Sequence, residues 1–228
     1  MEFKLIDWIE PLSKINKLEK FAQNKLSRNV IEPGKPWYEK VKGNWASFFQ
    51  NSNPLTVELA CGWGEYTLAL ARKFPDRNFI GVDIKGDRIW RASQHAIASN
   101  LSNVAFLRTH IVEILNLFET DEVDEIWLTF PDPQPKDRNE KHRLTTRSFL
   151  MKYQQILHAD GWFRFKTDNT ALFEYTLQVL ADFEVFEHEF TVDLYRSALL
   201  EDHYGIQTKY EKIWTTKGET IKYMKFRF

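Results

Sequence analysis

The sequence predicts an α/β protein built on a mostly parallel sheet. Three observations carry that expectation. From Leu55 onward, strand-like and helix-like runs alternate. Chains with that alternation place parallel strands side by side and cover both faces with helices. Gly62 and Gly64 stand at the first strand-to-helix turn, and single acids close later strands. The 228 residues are 43% hydrophobic, enough for the core of one ordinary domain.

The elements follow in order. Residues 1–50 are the least regular part. Leu5 to Leu26 has helical spacing with Lys on its polar face, interrupted by Pro11, and Pro33-Gly34-Lys35-Pro36 marks a loop. This part reads as an arm or short helices laid against a main domain spanning 51–228. A strand is expected over Leu55–Ala60, a helix over Gly64–Phe74, a strand over Asn78–Val82 and a helix over Gly86–Ser99. Next come a strand over Val104–Arg108, a short helix over Val112–Phe118 and a strand over Val123–Phe130. A helix over Thr146–His158 has Thr145 or Thr146 to cap it, and a strand covers Gly161–Lys166. Asp168 is placed to cap a helix over Thr170–Leu180. A strand at Glu184–Phe190, a short helix near Lys209–Trp214 and a final strand near Thr220–Phe228 close the chain.

Net charge is −1, so no global field draws in nucleic acid. The charge is uneven, however. Residues 136–152 carry six basic residues against two acids, and so do residues 209–228. A polyanion would meet local patches. Cys61 is the only cysteine, which removes an internal disulfide and leaves the cytoplasm as the expected compartment. The first residues lack an apolar run of signal-peptide length, and no stretch reaches the ~18 apolar residues of a membrane span. No metal-ligand spacing stands out.

Glu58-Leu-Ala-Cys-Gly62-Trp-Gly64-Glu65 lies at the first turn. Its glycines permit a tight turn and close approach of a ligand. Asp83 ends the next strand, where it can accept hydrogen bonds from a ribose diol. Charge then separates the nucleotide cofactors. A pyrophosphate would meet the carboxylates of Glu58 and Glu65, whereas S-adenosylmethionine carries an ammonium and a sulfonium that acids favour. Without a ligand, Glu58 pairs locally and the glycines only turn the chain. Cys61 has no neighbour that activates a thiol and reads as packing. His110, after the third strand, is open to a structural or an adenine-contacting role.

Phe130-Pro-Asp-Pro-Gln-Pro-Lys136 follows the fourth strand. Prolines stiffen it and present Asp132 in one place. Lys136, Arg138, Lys141, Arg143 and Arg147 come next. A rigid acid beside cations suits a phosphate-bearing substrate, although a proline-rich turn followed by a solvated charge run has the same composition. Asp168 stands at the end of the fifth strand, as a cap or as a substrate ligand. Thr208 and Glu211 have the spacing of a capping box or of two substrate contacts.

Taken together these residues resemble the tRNA (guanine-N7)-methyltransferase family over roughly Thr56 to Phe226. The resemblance rests on Val57-Glu58 with Gly62-x-Gly64-Glu65, Phe-Ile-Gly-Val-Asp at 79–83, Phe130-Pro-Asp-Pro, and Lys136 to Leu144. It continues through Phe165-Lys-Thr-Asp-Asn169, Leu172-Phe-Glu-Tyr175 and Thr208-x-x-Glu211. The form of the fifth-strand motif is most similar to the Gram-positive-type bacterial branch. The resemblance implies a Rossmann-like methyltransferase fold whose last strands are antiparallel. It also implies methylation of N7 of a guanosine in the tRNA variable loop, by a monomer or homodimer. The implied S-adenosylmethionine contacts are Glu58, Asp83, His110 and Asp132, beside the turn glycines Gly62 and Gly64. The implied tRNA contacts are Lys136, Asp168, Thr208 and Glu211, with Arg138 and Arg143 as phosphate ligands. Three departures stand out. Gln134 replaces a usual Trp, His110 a usual Asp or Asn, and His142 a more usual Arg.

Guanine N7 has an in-plane lone pair and no proton, so no general base is required. The expected work is alignment with the methyl group, exclusion of water and stabilisation of the cation formed, with Asp132 as the catalytic carboxylate. Two other readings share the motifs. One is an exocyclic-amine methyltransferase, to which Phe-Pro-Asp-Pro bears a loose likeness although Gln134 offers no ring. The other is a methyltransferase-like subunit that binds tRNA without catalysis.

Overall fold

The computed structural model describes residues 15–228. The helical spacing expected from Leu5 lies partly outside them. The chain divides into two compact units, Met1–Phe118 and Glu119–Phe228.

The first unit contains α1 (Lys17–Leu26), β1 (Val30–Ile31), α2 (Trp45–Phe49), β2 (Leu55–Leu59), α3 (Glu65–Lys73), β3 (Asn78–Asp83), α4 (Gly86–Ala98) and β4 (Val104–Arg108). Its strands lie in the order β1-β4-β3-β2 and every pairing is parallel. Every residue of β2 and β3 is buried. Strands covered on both faces are buried along their whole length, and the polar members here are hydrogen-bonded, Glu58 to Thr67 and Asp83 to the Gly62 amide. The expected helix over Val112–Phe118 is a 3-10 turn at Ile111–Asn116.

Within residues 15–50, β1 adds to the sheet through its pairing with β4. A capping box of Asn16 and Glu19 starts α1. Its C-terminal end is held by Lys35, whose Nζ donates to the carbonyls of Asn24, Ser27 and Val30. Asn24 in turn donates to the Gly86 carbonyl at 2.7 Å, fastening α1 to the start of α4. Arg108 pairs with the buried Glu32 at 3.0 Å.

The second unit contains β5 (Val123–Thr129), α5 (Arg147–Ile156), β6 (Leu157–Thr167), α6 (Thr170–Leu180), β7 (Phe186–Thr191), α7 (Lys209–Thr216) and β8 (Lys222–Arg227). The order is β5-β6-β8-β7. β5 and β6 are parallel, and β8 runs antiparallel to both β6 and β7. The mostly parallel sheet with antiparallel C-terminal strands is thus as expected.

Two details differ from the sequence reading. β6 begins at Leu157, so α5 stops at Ile156 and not at His158. The extra residues pair only beyond a register shift between Val123 and Glu125, which local sequence does not encode. α6 is capped by Asn169 and not by Asp168: Asn169 Oδ1 accepts from the Leu172 amide at 2.8 Å. This leaves the Asp168 carboxylate out of the cap.

Candidate functional site

In the first unit the expected residues stand at or just beyond the carboxyl ends of parallel strands, where open α/β sheets bind ligands. Gly62 and Gly64 both have left-handed backbones, φ +57° and +69°. Only Gly takes such a conformation without strain. A Cβ on Gly64 would lie 2.8 Å from Ala92 Cβ and from the Phe106 ring, so this glycine is needed for packing. A Cβ on Gly62 would meet nothing nearer than Arg88 Nη1 at 4.0 Å. The turn is therefore tight on one side and open on the other.

Asp83 braces the open side. Its Oδ2 accepts from the Gly62 amide at 2.9 Å and its Oδ1 from the Lys85 amide at 2.8 Å. Each oxygen keeps a lone pair for another donor. Glu58 is 3% exposed, and its Oε2 accepts from both the amide (2.8 Å) and the hydroxyl of Thr67. It anchors the start of α3, as a local pairing would have it. The Cys61 thiol is buried, and burial followed by the charges of Asp83 and Glu58 pushes its pKa well up. It is a packing residue without nucleophilic character at neutral pH. His110 is exposed just after β4 and makes no side-chain cap. Trp63, not singled out in the sequence, is 40% exposed at the tip of the turn, with the Arg91 guanidinium 4.8 Å from its ring centre. Carboxylates at the turn and an open glycine suit a cationic nucleoside better than a pyrophosphate.

In the second unit Asp132 and Asp168 follow the ends of the parallel strands β5 and β6. Asp132 is exposed, and its Oδ1 accepts from the Gln134 amide at 3.1 Å. Phe130 and Gln134, on either side of Pro-Asp-Pro, both have left-handed backbones, φ +50° and +46°. Two non-glycine residues in that region store strain, which persists only where the surroundings demand it. The Gln134 carbonyl accepts from Arg143 Nε at 3.2 Å, closing the loop onto the basic run.

That run is not uniform. Lys136, Arg138, Lys141 and His142 are exposed on or beside a 3-10 turn at Asp137–His142. Arg143 is half-buried over the Tyr175 ring at 4.5 Å, and Tyr175 donates to Glu140 at 2.9 Å. Arg147 pairs with Asp182 at 3.4 Å. The structure thus presents Lys136, Arg138 and Lys141 to solvent and ties Arg143 to the loop.

Asp168 is half-buried, and burial raises its pKa. Lys222 Nζ donates to its backbone carbonyl at 2.8 Å. The Tyr210 phenol and the Asp168 carboxylate act on each other electrostatically, and the Asp168 charge helps raise the Tyr210 pKa. Thr208 and Glu211 form the capping box of α7. Glu211 is fully buried against Lys166 and also accepts from Tyr195 at 2.7 Å. It therefore faces its own fold. The sequence reading passed over Lys166 and Tyr210, although both lie inside motifs it quoted.

Comparison with known proteins decides the family. A family model described as "Putative methyltransferase" matches residues 52–224. A tRNA (guanine-N(7)-)-methyltransferase of Cytophaga hutchinsonii is 45% identical over 93% of this chain and 97% of its own. The chain belongs to the tRNA (guanine-N7)-methyltransferase family. Relatives of that name from Christiangramia forsetii (42% identical, 93% of this chain and 97% of that one) and Oceanobacillus iheyensis (39%, 82% and 86%) agree. Among solved structures, an antibiotic-related methyltransferase superposes with a TM-score of 0.59 at 18% identity, covering 82% of this chain and 92% of its own. The 16S rRNA methyltransferase KamB gives 0.60 at 12%, covering 82% and 93%. At such identities the likeness shows the fold, which is that of the Rossmann-like methyltransferases. The family fixes S-adenosylmethionine as the expected cofactor. Among the described residues no helix is long and apolar enough to cross a membrane.

Proposed function

We propose that this chain transfers a methyl group from S-adenosylmethionine to N7 of a guanosine in the variable loop of tRNA. The observation that carries this is the 45% identity to a protein named tRNA (guanine-N(7)-)-methyltransferase, over nearly the full length of both chains. S-Adenosylmethionine, when bound, supplies an electrophilic methyl group on a sulfonium.

The protein's own residues have separable tasks. Gly62 and Gly64 shape the turn, and Asp83 holds it while offering lone pairs to a ribose diol. Glu58 secures the start of α3 beneath that turn and adds negative charge for a cationic ligand. His110 stands where it can contact an adenine. Asp132, presented by its strained loop, contacts the cofactor and stabilises the positive charge that develops on the base as the N7 lone pair takes the methyl group and the sulfur–methyl bond breaks, its electron pair staying on a neutral thioether. No residue needs to remove a proton. Asp168 reads the guanine edge as a carboxylate that accepts from its N–H donors. Lys136 and Arg138 hold tRNA phosphates. Arg143, Thr208 and Glu211 serve the substrate by fixing the loop and α7.

Residues 51–228 form the methyltransferase domain in this reading, and 1–50 an N-terminal addition to it; the family match begins at residue 52. The reading places the enzyme in the cytoplasm, as a monomer or homodimer engaged in tRNA modification. The direct test is incubation with radiolabelled S-adenosylmethionine and unmodified tRNA, followed by digestion to nucleosides. Label in 7-methylguanosine supports the reading. Label in an N-methylated exocyclic amine, or none, refutes it.

A further inference from the structure

Tyr210 lies on the first turn of α7 and keeps 45% of its surface exposed. Its ring is nevertheless held in place. Its centroid is 5.4 Å from that of Phe130, tilted by 57°, and 5.8 Å from that of Trp214, tilted by 54°. The ion pair of Lys166 with Glu211, 2.7 Å, draws the end of β6 with Asp168 to the turn of α7 that carries this ring, and burial followed by the Asp168 charge raises the pKa of the phenol. Asp132 also acts on this phenol through its charge. A fixed, accessible aromatic surface flanked by two carboxylates is a site for a planar cation. Such a group gains from the ring's quadrupole and from both negative charges.

Methylation at N7 turns a neutral purine into that kind of group. Building on the reading above, we propose that Tyr210 is the platform on which the target base is held, and that it binds the methylated cation more tightly than neutral guanine. Any aromatic face stacks a base. The charge-dependent part of the contact strengthens as the methyl group arrives, so it favours the transition state over the bound substrate. Its consequence is retention of the product, with release of modified tRNA slower than release of unmodified tRNA.

The test compares two tRNAs of one sequence in equilibrium binding, with S-adenosylhomocysteine present. One is unmodified and the other carries a single 7-methylguanosine introduced by ligation. Wild-type protein should bind the methylated tRNA roughly 3- to 30-fold more tightly. Tyr210→Phe keeps the ring and should keep most of the preference. Tyr210→Leu should abolish the preference while S-adenosylhomocysteine binding, measured by calorimetry, stays unchanged. Equal affinities in the wild type would overturn the proposal without any variant, and so would a preference that survives Tyr210→Leu. A wild type that forms 7-methylguanosine but shows no preference defeats this inference alone. A wild type that forms none defeats the reading on which it rests.

Discussion

Lys166 and Glu211 form an ion pair with no exposure of either side chain, Nζ to Oε1 2.7 Å and Nζ to Oε2 2.9 Å. It joins β6, whose end carries Asp168, to α7, which carries Tyr210. Burial lowers the Lys166 pKa, and the Glu211 charge opposes that shift. Removing one partner of such a pair leaves a buried charge uncompensated and destabilises by about 3–5 kcal/mol. Glu211→Gln should therefore lower the urea midpoint markedly, whereas Lys166→Met with Glu211→Leu together should recover much of the loss. A Glu211→Gln variant of unchanged stability but raised KM for tRNA would instead make Glu211 a direct substrate contact.

His203 makes stability depend on pH. It is 3% exposed, with Nδ1 3.3 Å from the Ile206 carbonyl oxygen. Burial and the Lys166 charge lower its pKa to about 4, against the opposing pull of the Ile206 carbonyl and then of Asp202. An unfolded histidine titrates near ~6.5. Between these values the unfolded chain binds a proton that the folded chain refuses, so stability rises with pH across that window. The contribution is complete above about pH 6.5 and is lost as pH falls toward 4, on the order of 3 kcal/mol. Urea midpoints of wild type and His203→Gln should converge as pH is lowered through this range. Parallel profiles would contradict the assignment.

The two turn glycines should fail differently. Alanine at Gly64 meets Ala92 and Phe106 at 2.8 Å in a left-handed backbone. Overpacking adds ~1–3 kcal/mol to a backbone strain of ~1–2 kcal/mol, so the melting temperature should drop by several degrees. Alanine at Gly62 carries the strain without the clash, and its methyl group enters the open side of the turn. It should weaken S-adenosylmethionine binding more than it lowers the melting temperature. Calorimetry and thermal melts on both variants separate the two roles; the reverse order would overturn them.

Neutralising Lys136 and Lys141 should weaken tRNA binding and reduce the slope of log K against log salt by nearly one unit for each lost phosphate contact. Arg143→Ala should act otherwise, because Arg143 holds the Gln134 carbonyl and covers Tyr175. It should loosen the Asp132 loop and lower kcat with a smaller change in slope. Identical salt slopes for wild type and the double lysine variant would place the run away from the nucleic acid.

How legible these features were depended on how far apart their partners lie in the chain. β4, Val104–Arg108, has the same limits in sequence and structure, since Asn103 and Thr109 bound an apolar run. The capping box of α7 was also readable, because Thr208 and Glu211 are three residues apart. Asp168 and Asn169 are both good caps and adjacent, and only the structure shows that Asn169 bonds the Leu172 amide. The Lys166–Glu211 pair spans 45 positions, so nothing local announces it. Tyr210 stood inside a motif already noted, yet its partners Phe130 and Asp168 come from β5 and β6 ends that only folding brings to α7.

In the proposed reaction the nucleophile is N7 of guanine. A tRNA transcribed with 7-deazaguanosine replaces that nitrogen with carbon and leaves the Watson–Crick edge and the exocyclic amine intact. This tRNA should still bind, competing with ordinary tRNA at similar affinity, and should accept no methyl group in single-turnover assays. Methyl transfer to the deaza substrate at a rate comparable to that of unmodified tRNA would move the chemistry to another atom.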